Sequence, residues 1–219
     1  MKHNRVSCPP FCLSMKKVSI IIPVYNQEHL ILRALDSIPQ RHDIEIVVCD
    51  DASTDRTVAN VSAWSRNHPN MTLKLIRNDV NRGAGYSRNE CLNKCTGEYV
   101  YGLDSDDYLY TAEWEKAVEQ LDGTDLVYVS AYSDGNKPWV PRWDIRLAWG
   151  AFWLKFVRRD FLGNIRCECV RWAEDKGFTE KLFAKEPTVK YTGLFAYHYS
   201  WPRAGSLCWE KNYGSNSGT

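Results

Sequence analysis

No stretch approaches the roughly 18 uncharged apolar residues that a membrane span requires. The nearest candidates, such as Phe152 to Val157, are interrupted by Lys or Arg, so a soluble chain is expected. Net charge is almost absent: 28 Lys and Arg face 27 Asp and Glu, which removes bulk electrostatic attraction to nucleic acid or an anionic membrane as a premise. No signal peptide is expected either. Lys2 and Arg5 precede Cys8-Pro9-Pro10-Phe11-Cys12-Leu13, which is too short and too proline-rich for an apolar export segment. The eight cysteines, spaced as Cys8/Cys12, Cys91/Cys95 and Cys167/Cys169, match no zinc knuckle. Free thiols in a cytoplasmic protein are the expectation, with Cys91 and Cys95 buried as small hydrophobes on a helix. Internal repeats and low-complexity tracts are missing too, apart from the polar tail from Gly214.

What is present is an alternation of β-branched runs with amphipathic stretches, the pattern of a largely parallel sheet covered by helices. The spacing predicts strands at Val18–Ile22, Ile44–Cys49, Leu73–Ile76, Glu98–Leu103 and Asp125–Ala131. Helices are predicted at His29–Ile38, from Asp55 to about Asn67, at Tyr86–Lys94, and from a Thr111 cap to Leu121. The expected organisation is an extension at 1–14, one domain at 15–212 and a flexible tail at 213–219. Within the domain, the expected division is into halves at 15–110 and 111–212. Met15-Lys16-Lys17 directly before the first strand makes residues 1–14 dispensable in this reading.

In open α/β sheets the ligand crevice lies beyond the carboxyl ends of the strands. Tyr25 and Asn26, Asp50 and Asp51, and Asp104 to Asp107 should therefore share one site. Gathered carboxylates repel unless a cation or hydrogen-bond donors offset them. A divalent ion is the economical answer, and hard carboxylate oxygens suit Mg2+ or Mn2+. The alternative is that these residues only cap helices and shape turns; that reading is adopted for Asp55 and set aside for Asp104 and Asp106.

Four segments in order, Val18-Ser-Ile-Ile-Ile-Pro-Val-Tyr-Asn26, Val47-Val-Cys-Asp-Asp-Ala-Ser-Thr-Asp-Arg-Thr57, Asn81-Arg-Gly-Ala-Gly-Tyr-Ser-Arg-Asn89 and Leu103-Asp-Ser-Asp-Asp-Tyr-Leu109, resemble the motifs of family 2 glycosyltransferases. Phe156–Leu162, Trp172-Ala-Glu-Asp175 and Tyr197–Ser206 resemble that family's acceptor-side segments, so the likeness covers about residues 18–206. It implies the GT-A fold, an α/β single domain with a Rossmann-like, mostly parallel central sheet and helices on both faces. It further implies a metal-dependent, inverting transfer from a nucleotide-diphosphate sugar, usually of uridine, to a hydroxyl.

Position by position, the resemblance places Pro23, Tyr25 and Asp51 at the uracil and ribose, and Arg88 at the nucleotide or its phosphates. Asp104 and Asp106 match the DXD motif, Asp106 on the metal and Asp104 on ribose or metal, with Asp107 able to substitute in either role. Arg203 and Ser206 resemble diphosphate contacts. His198 either joins the metal shell or is a satisfied histidine in a strand. Asp175 is implied as the general base, supported by Glu174.

Beyond Pro138 the texture changes. Trp139, Trp143, Trp149, Trp153 and Trp172 cluster there, and residues 137–176 hold nine Lys and Arg against five Asp and Glu. Trp153 and Trp172 are expected in the core, while one of the other three could line an acceptor site. A glycan, a lipid-linked sugar, a protein or a hydroxylated DNA base are the acceptors considered. Two rivals are a nucleotidyltransferase, which would want a basic glycine-rich loop where Tyr25-Asn-Gln-Glu28 stands, and a non-catalytic carbohydrate- or nucleic-acid-binding module with a vestigial nucleotide site.

Overall fold

β1 (Val18–Val24) is buried along its whole length, as expected of a strand whose Val and Ile residues face helices or core on both sides. It pairs in parallel with β2 (Ile44–Asp50) and with β4 (Tyr99–Gly102), and β2 pairs in parallel with the half-buried edge strand β3 (Thr72–Arg77). The crossovers carry α1 (Ile31–Asp36), α2 (Thr57–Asn67) and α3 (Ala84–Lys94), and α3 packs on β1 and β2. The computed structural model describes residues 17–135, 137–140, 151–170 and 174–200. No helix among them is long and apolar enough to cross a membrane.

Past β4 the sheet turns mixed. β5 (Tyr108–Leu109) and α4 (Thr111–Glu119) come first, followed by β6 (Leu126–Ser133) and β7 (Lys137–Trp139). A single 3-10 turn at Phe152–Leu154 leads into β8 (Lys155–Arg158), α5 (Arg159–Leu162), α6 (Glu174–Phe183) and β9 (Val189–Tyr199). The sheet order is β3-β2-β1-β4-β8-β6-β9-β5. β8 runs antiparallel to both β4 and β6, β6 and β9 are parallel, and β5 and β7 pair antiparallel to β9 and β6. The parallel expectation thus describes the first four strands, and the later half adds antiparallel partners to them. Trp114 of α4 fills the junction, packed against Tyr101 of β4 and Phe156 of β8 at centroid distances of 5.6 and 5.4 Å.

Thr111 does not cap α4. The capping position belongs to Tyr110, and the Thr111 hydroxyl donates instead to the carbonyl of Ser37 at 2.9 Å. Thr111 is thus the first residue of the helix, one position inside the cap.

β9 changes phase halfway. Ser130 is opposite Phe195, yet the next residue, Ala131, is opposite Tyr197, so β9 advances two residues for one on β6. Such a bulge swaps the faces of everything after it. Phe195 stacks on Tyr132 on one side, whereas Tyr197 and Tyr199 both stack on Trp153 on the other.

Candidate active site

The loops after β1 and β2 are fastened to each other. Asn26 donates its N–H to the Ser53 hydroxyl and accepts from Thr54 N–H, both at 2.9 Å, while Glu28 N–H reaches Asp55 at 3.0 Å. Asp55 also accepts from Thr57 N–H and so holds the start of α2, as expected. Pro23 is buried within β1 beside Cys49. Tyr25, just beyond the strand, is exposed. Asp51 is buried, and its carboxylate accepts from Arg82 N–H, from Gly83 N–H at 2.7 Å and from the Asn78 amide at 2.8 Å. It therefore shapes the turn that opens α3. Gly83 has φ +86°, a conformation that a side chain at this position would resist.

That turn aims Arg88 of α3 at the crevice. Arg88 is buried, and its guanidinium spans two motifs: it donates to Asp104 at 2.8 Å and to Glu174, 86 residues away in sequence. Burial opposes its charge, but the carboxylates of Asp104 and Glu174 outweigh that and raise its pKa. The acidic loop after β4 and the start of α6 are thus brought together across one fork of donors.

Asp104 and Asp106 are half-buried. Asp107 lies beneath them, buried, and accepts from the Tyr197 hydroxyl at 2.6 Å and from Ser200 N–H at 2.7 Å. Burial, then the nearby charges of Asp106 and Asp104, push its carboxyl well above the usual range. Asp107 therefore does not substitute for its neighbours: it anchors the loop, because its oxygens are occupied under the surface. Tyr197 closes the anchor by accepting from Asp104 N–H at 3.2 Å. Arg33 of α1 clamps the same loop, donating to the carbonyl of Asp106 and to the Ser200 hydroxyl, with its guanidinium 4.9 Å from the Tyr108 ring centroid.

His198 sits beside this loop, stacked on Tyr108 at 4.2 Å. Its Nδ1 pairs with the Tyr110 hydroxyl at 2.9 Å and its Nε2 with Asp134 at 3.0 Å. In this arrangement the ring is a satisfied histidine of β9. Among the described residues no three His, Cys, Asp or Glu side chains are grouped to hold a metal ion unaided. The donor set still suits a hard divalent cation, since two half-exposed carboxylates are what Mg2+ or Mn2+ takes from a protein when substrate phosphates and water complete its sphere. Arg203, Ser206, Trp143, Trp149 and Trp172 lie outside the described residues.

Glu174 and Asp175 open α6, half-buried. Lys155 of β8 is fully buried. Sequence reasoning passed over Lys155, Arg33 and the Asp107–Tyr197 anchor. The signal for Lys155 was present as a charge in the middle of Phe152-Trp-Leu-Lys-Phe-Val157. Arg33 and the anchor left none, because they depend on partners from distant elements. Trp153 is buried as expected, and Trp139 meets it edge-on at 6.5 Å.

Comparison with known proteins locates this arrangement. The family model described as Glycosyl transferase family 2 matches residues 19–182. A poly(ribitol-phosphate) beta-glucosyltransferase of Bacillus spizizenii is 39% identical over 98 residues, 42% of this chain and 15% of the relative. The solved structure of Staphylococcus aureus TarS 1-349 in complex with UDP-GlcNAc superposes with a TM-score of 0.76 at 25% identity, covering 88% of this chain and 60% of that one. The mannosyltransferase PcManGT of Pyrobaculum calidifontis, solved with GDP-Man and Mn2+, gives a TM-score of 0.72 at 24% identity, over 89% and 59% of the two chains, and speaks for the fold. The chain spans 15% to 40% of the length of the curated relatives it matches. The sheet and its crevice are those of the GT-A fold.

Proposed function

Because the chain belongs to glycosyl transferase family 2, we propose that its crevice transfers a sugar, with inversion, from a nucleotide-diphosphate donor to an acceptor hydroxyl. The observation that carries this reading is the Arg88 fork, which gathers Asp104 from the loop after β4 and Glu174 from the start of α6 onto one buried guanidinium. TarS, whose complex holds UDP-GlcNAc, supports a uridine diphosphate sugar as donor.

Pro23, Tyr25 and Asp51 line the nucleoside end, Asp51 through the turn it organises. Asp104 and Asp106 would hold a divalent cation, which when bound would neutralise charge on the departing diphosphate. His198 would join that set only by giving up Tyr110 or Asp134. Arg203 and Ser206 complete the diphosphate contacts. Asp175 removes the proton from the acceptor hydroxyl as its oxygen attacks the anomeric carbon, and the bond to the diphosphate breaks on the opposite face, leaving the negative charge on the nucleotide. Glu174, tied to Arg88, orients the start of α6 and so the base.

An anionic polyol or glycan is the acceptor class favoured here. The positive excess of residues 137–176 and the likeness to two poly(ribitol-phosphate) glycosyltransferases support it. Steep salt dependence of acceptor binding is the expected outcome; indifference to salt removes that class.

The test is a panel of nucleotide sugars assayed for nucleotide release with and without Mn2+ or Mg2+, alongside calorimetry with uridine diphosphate. Asp175→Asn should bind the nucleotide as the wild type does and lose transfer by about 10²- to 10⁴-fold. Full transfer by that variant would end the assignment of the base.

A further inference from the structure

The acidic loop after β4 is fastened twice. One fastening is internal: the buried Asp107 carboxylate accepts from the Tyr197 hydroxyl at 2.6 Å and from Ser200 N–H at 2.7 Å. The other comes from α1, where Nη2 of Arg33 donates to the main-chain carbonyl of Asp106 and to the Ser200 hydroxyl, the latter at 3.0 Å. The Arg33 guanidinium also lies 4.9 Å from the Tyr108 ring centroid. Ser200 is therefore held through both its N–H and its hydroxyl.

An arginine in the last turn of a short helix commonly extends into water, where its charge suits the helix's carboxyl end. Arg33 is exposed along α1, yet its head group is engaged by partners 73 and 167 residues away. Fixing so long a side chain costs rotamer entropy that a solvated arginine would keep. Donating to two acceptors while lying near a ring also suits a planar guanidinium better than a lysine ammonium. The bond to the Asp106 carbonyl completes a restraint on one peptide unit. Its C=O is held by Arg33, and its N–H, that of Asp107, donates to the Asp104 carbonyl at 3.1 Å.

We propose that Arg33 is a positioning residue for the divalent cation: by holding the Asp106–Asp107 peptide unit and Ser200 together, it sets the direction in which the Asp106 carboxylate leaves the loop. This rests on the reading of Asp104 and Asp106 as the residues that would hold the ion. Cations of the Mg2+ and Mn2+ type favour octahedral oxygen coordination, so a loop aligned beforehand binds the ion and a shared diphosphate at lower ordering cost. Binding of the nucleotide without metal should not depend on Arg33.

The experiment uses the full chain with Arg33→Met, Arg33→Lys, Ser200→Ala, Arg33→Met combined with Ser200→Ala, and Asp106→Asn. Each is titrated with uridine diphosphate by calorimetry, once with Mn2+ and once with EDTA, and the quantity read is the gain in affinity that Mn2+ confers. Arg33→Met should cut that gain about ten-fold while leaving binding in EDTA within about two-fold of wild type. Arg33→Lys should recover only part of it. Ser200→Ala keeps the N–H bond to Asp107 and should lose less, and the combined variant should lose no more than Arg33→Met alone, since both changes open one clasp. Thermal unfolding in EDTA, which involves no metal, should show the same non-additivity in Tm.

An undiminished gain in Arg33→Met overturns the inference, as does a loss of uridine diphosphate binding that is equal with and without Mn2+. If Asp106→Asn abolishes the gain while Arg33→Met keeps it, the inference fails and the metal reading stands. If Asp106→Asn keeps the full gain, or Mn2+ confers none on the wild type, the metal reading falls and takes this inference with it.

Discussion

The two ends of the sheet bury carboxylates under opposite terms. At the amino end Glu45 of β2 is buried, but it accepts from Ser19 at 2.5 Å, from Lys74 at 2.8 Å, from the Thr96 hydroxyl at 2.9 Å and from the N–H groups of Thr96 and Gly97. Burial pushes its pKa up, and these donors more than reverse that, leaving it below the ordinary value. At the carboxyl end Asp107 is equally buried, and burial with the charges of Asp106 and Asp104 drives it well above. One end neutralises its charges internally; the other concentrates like charges that a bound cation would relieve. That contrast separates the part of the molecule built for stability from the part built for chemistry.

Substitutions at each end test the contrast. The largest effect is expected at Arg88, which serves both sides of the crevice. Arg88→Met should destabilise by about 3 to 5 kcal/mol, because it strands the carboxylates of Asp104 and Glu174, and should also abolish nucleotide binding by calorimetry. Retained binding would sever the crevice from the fork.

Glu45→Gln should cost about 3 kcal/mol in denaturant unfolding at neutral pH and leave kcat per folded molecule unchanged. Its pH dependence has a definite sign. A carboxyl whose folded pKa lies below the unfolded one stabilises above the unfolded value and loses that contribution as pH falls through the folded value. The gap between wild type and Glu45→Gln should therefore narrow on acidification, and a constant gap would show that the charge is not what matters.

Smaller still, Tyr197→Phe removes the hydroxyl shared by Asp107 and Asp104 N–H and should cost about 2 kcal/mol, with weakened metal-dependent donor binding. The smallest effect belongs to the exposed Lys116–Glu113 pair on α4, away from both ends, where Lys116→Ala should stay within about 0.5 kcal/mol.

Legibility in the sequence follows the same division. β1 to β4 and the loops that end them are local patterns, so Asp51 and Asp104 could be nominated before any coordinates, whereas Arg88 and Glu174 were nominated by the family resemblance. β5, with two residues, carries no periodicity, and β8 is disguised by Lys155 at its first position. β9 hides behind Gly193 and the bulge after Phe195. Thr111, expected as the cap of α4, falls one position inside it. What could not be read was long-range pairing: Tyr197 with Asp107 is 90 residues apart, and Arg33 reaches Asp106 across 73.

The phase change in β9 gives this strand an unusual vulnerability. Deleting Ala196 would restore even alternation and rotate every later side chain by half a turn, sending His198 toward Trp153 and withdrawing Tyr197 from the acidic loop. A loss of one methyl-bearing residue far from any reacting atom would in this way uncouple the β4 loop from its mooring, while equally short deletions in the exposed turn at Asp122–Gly123 would leave it intact.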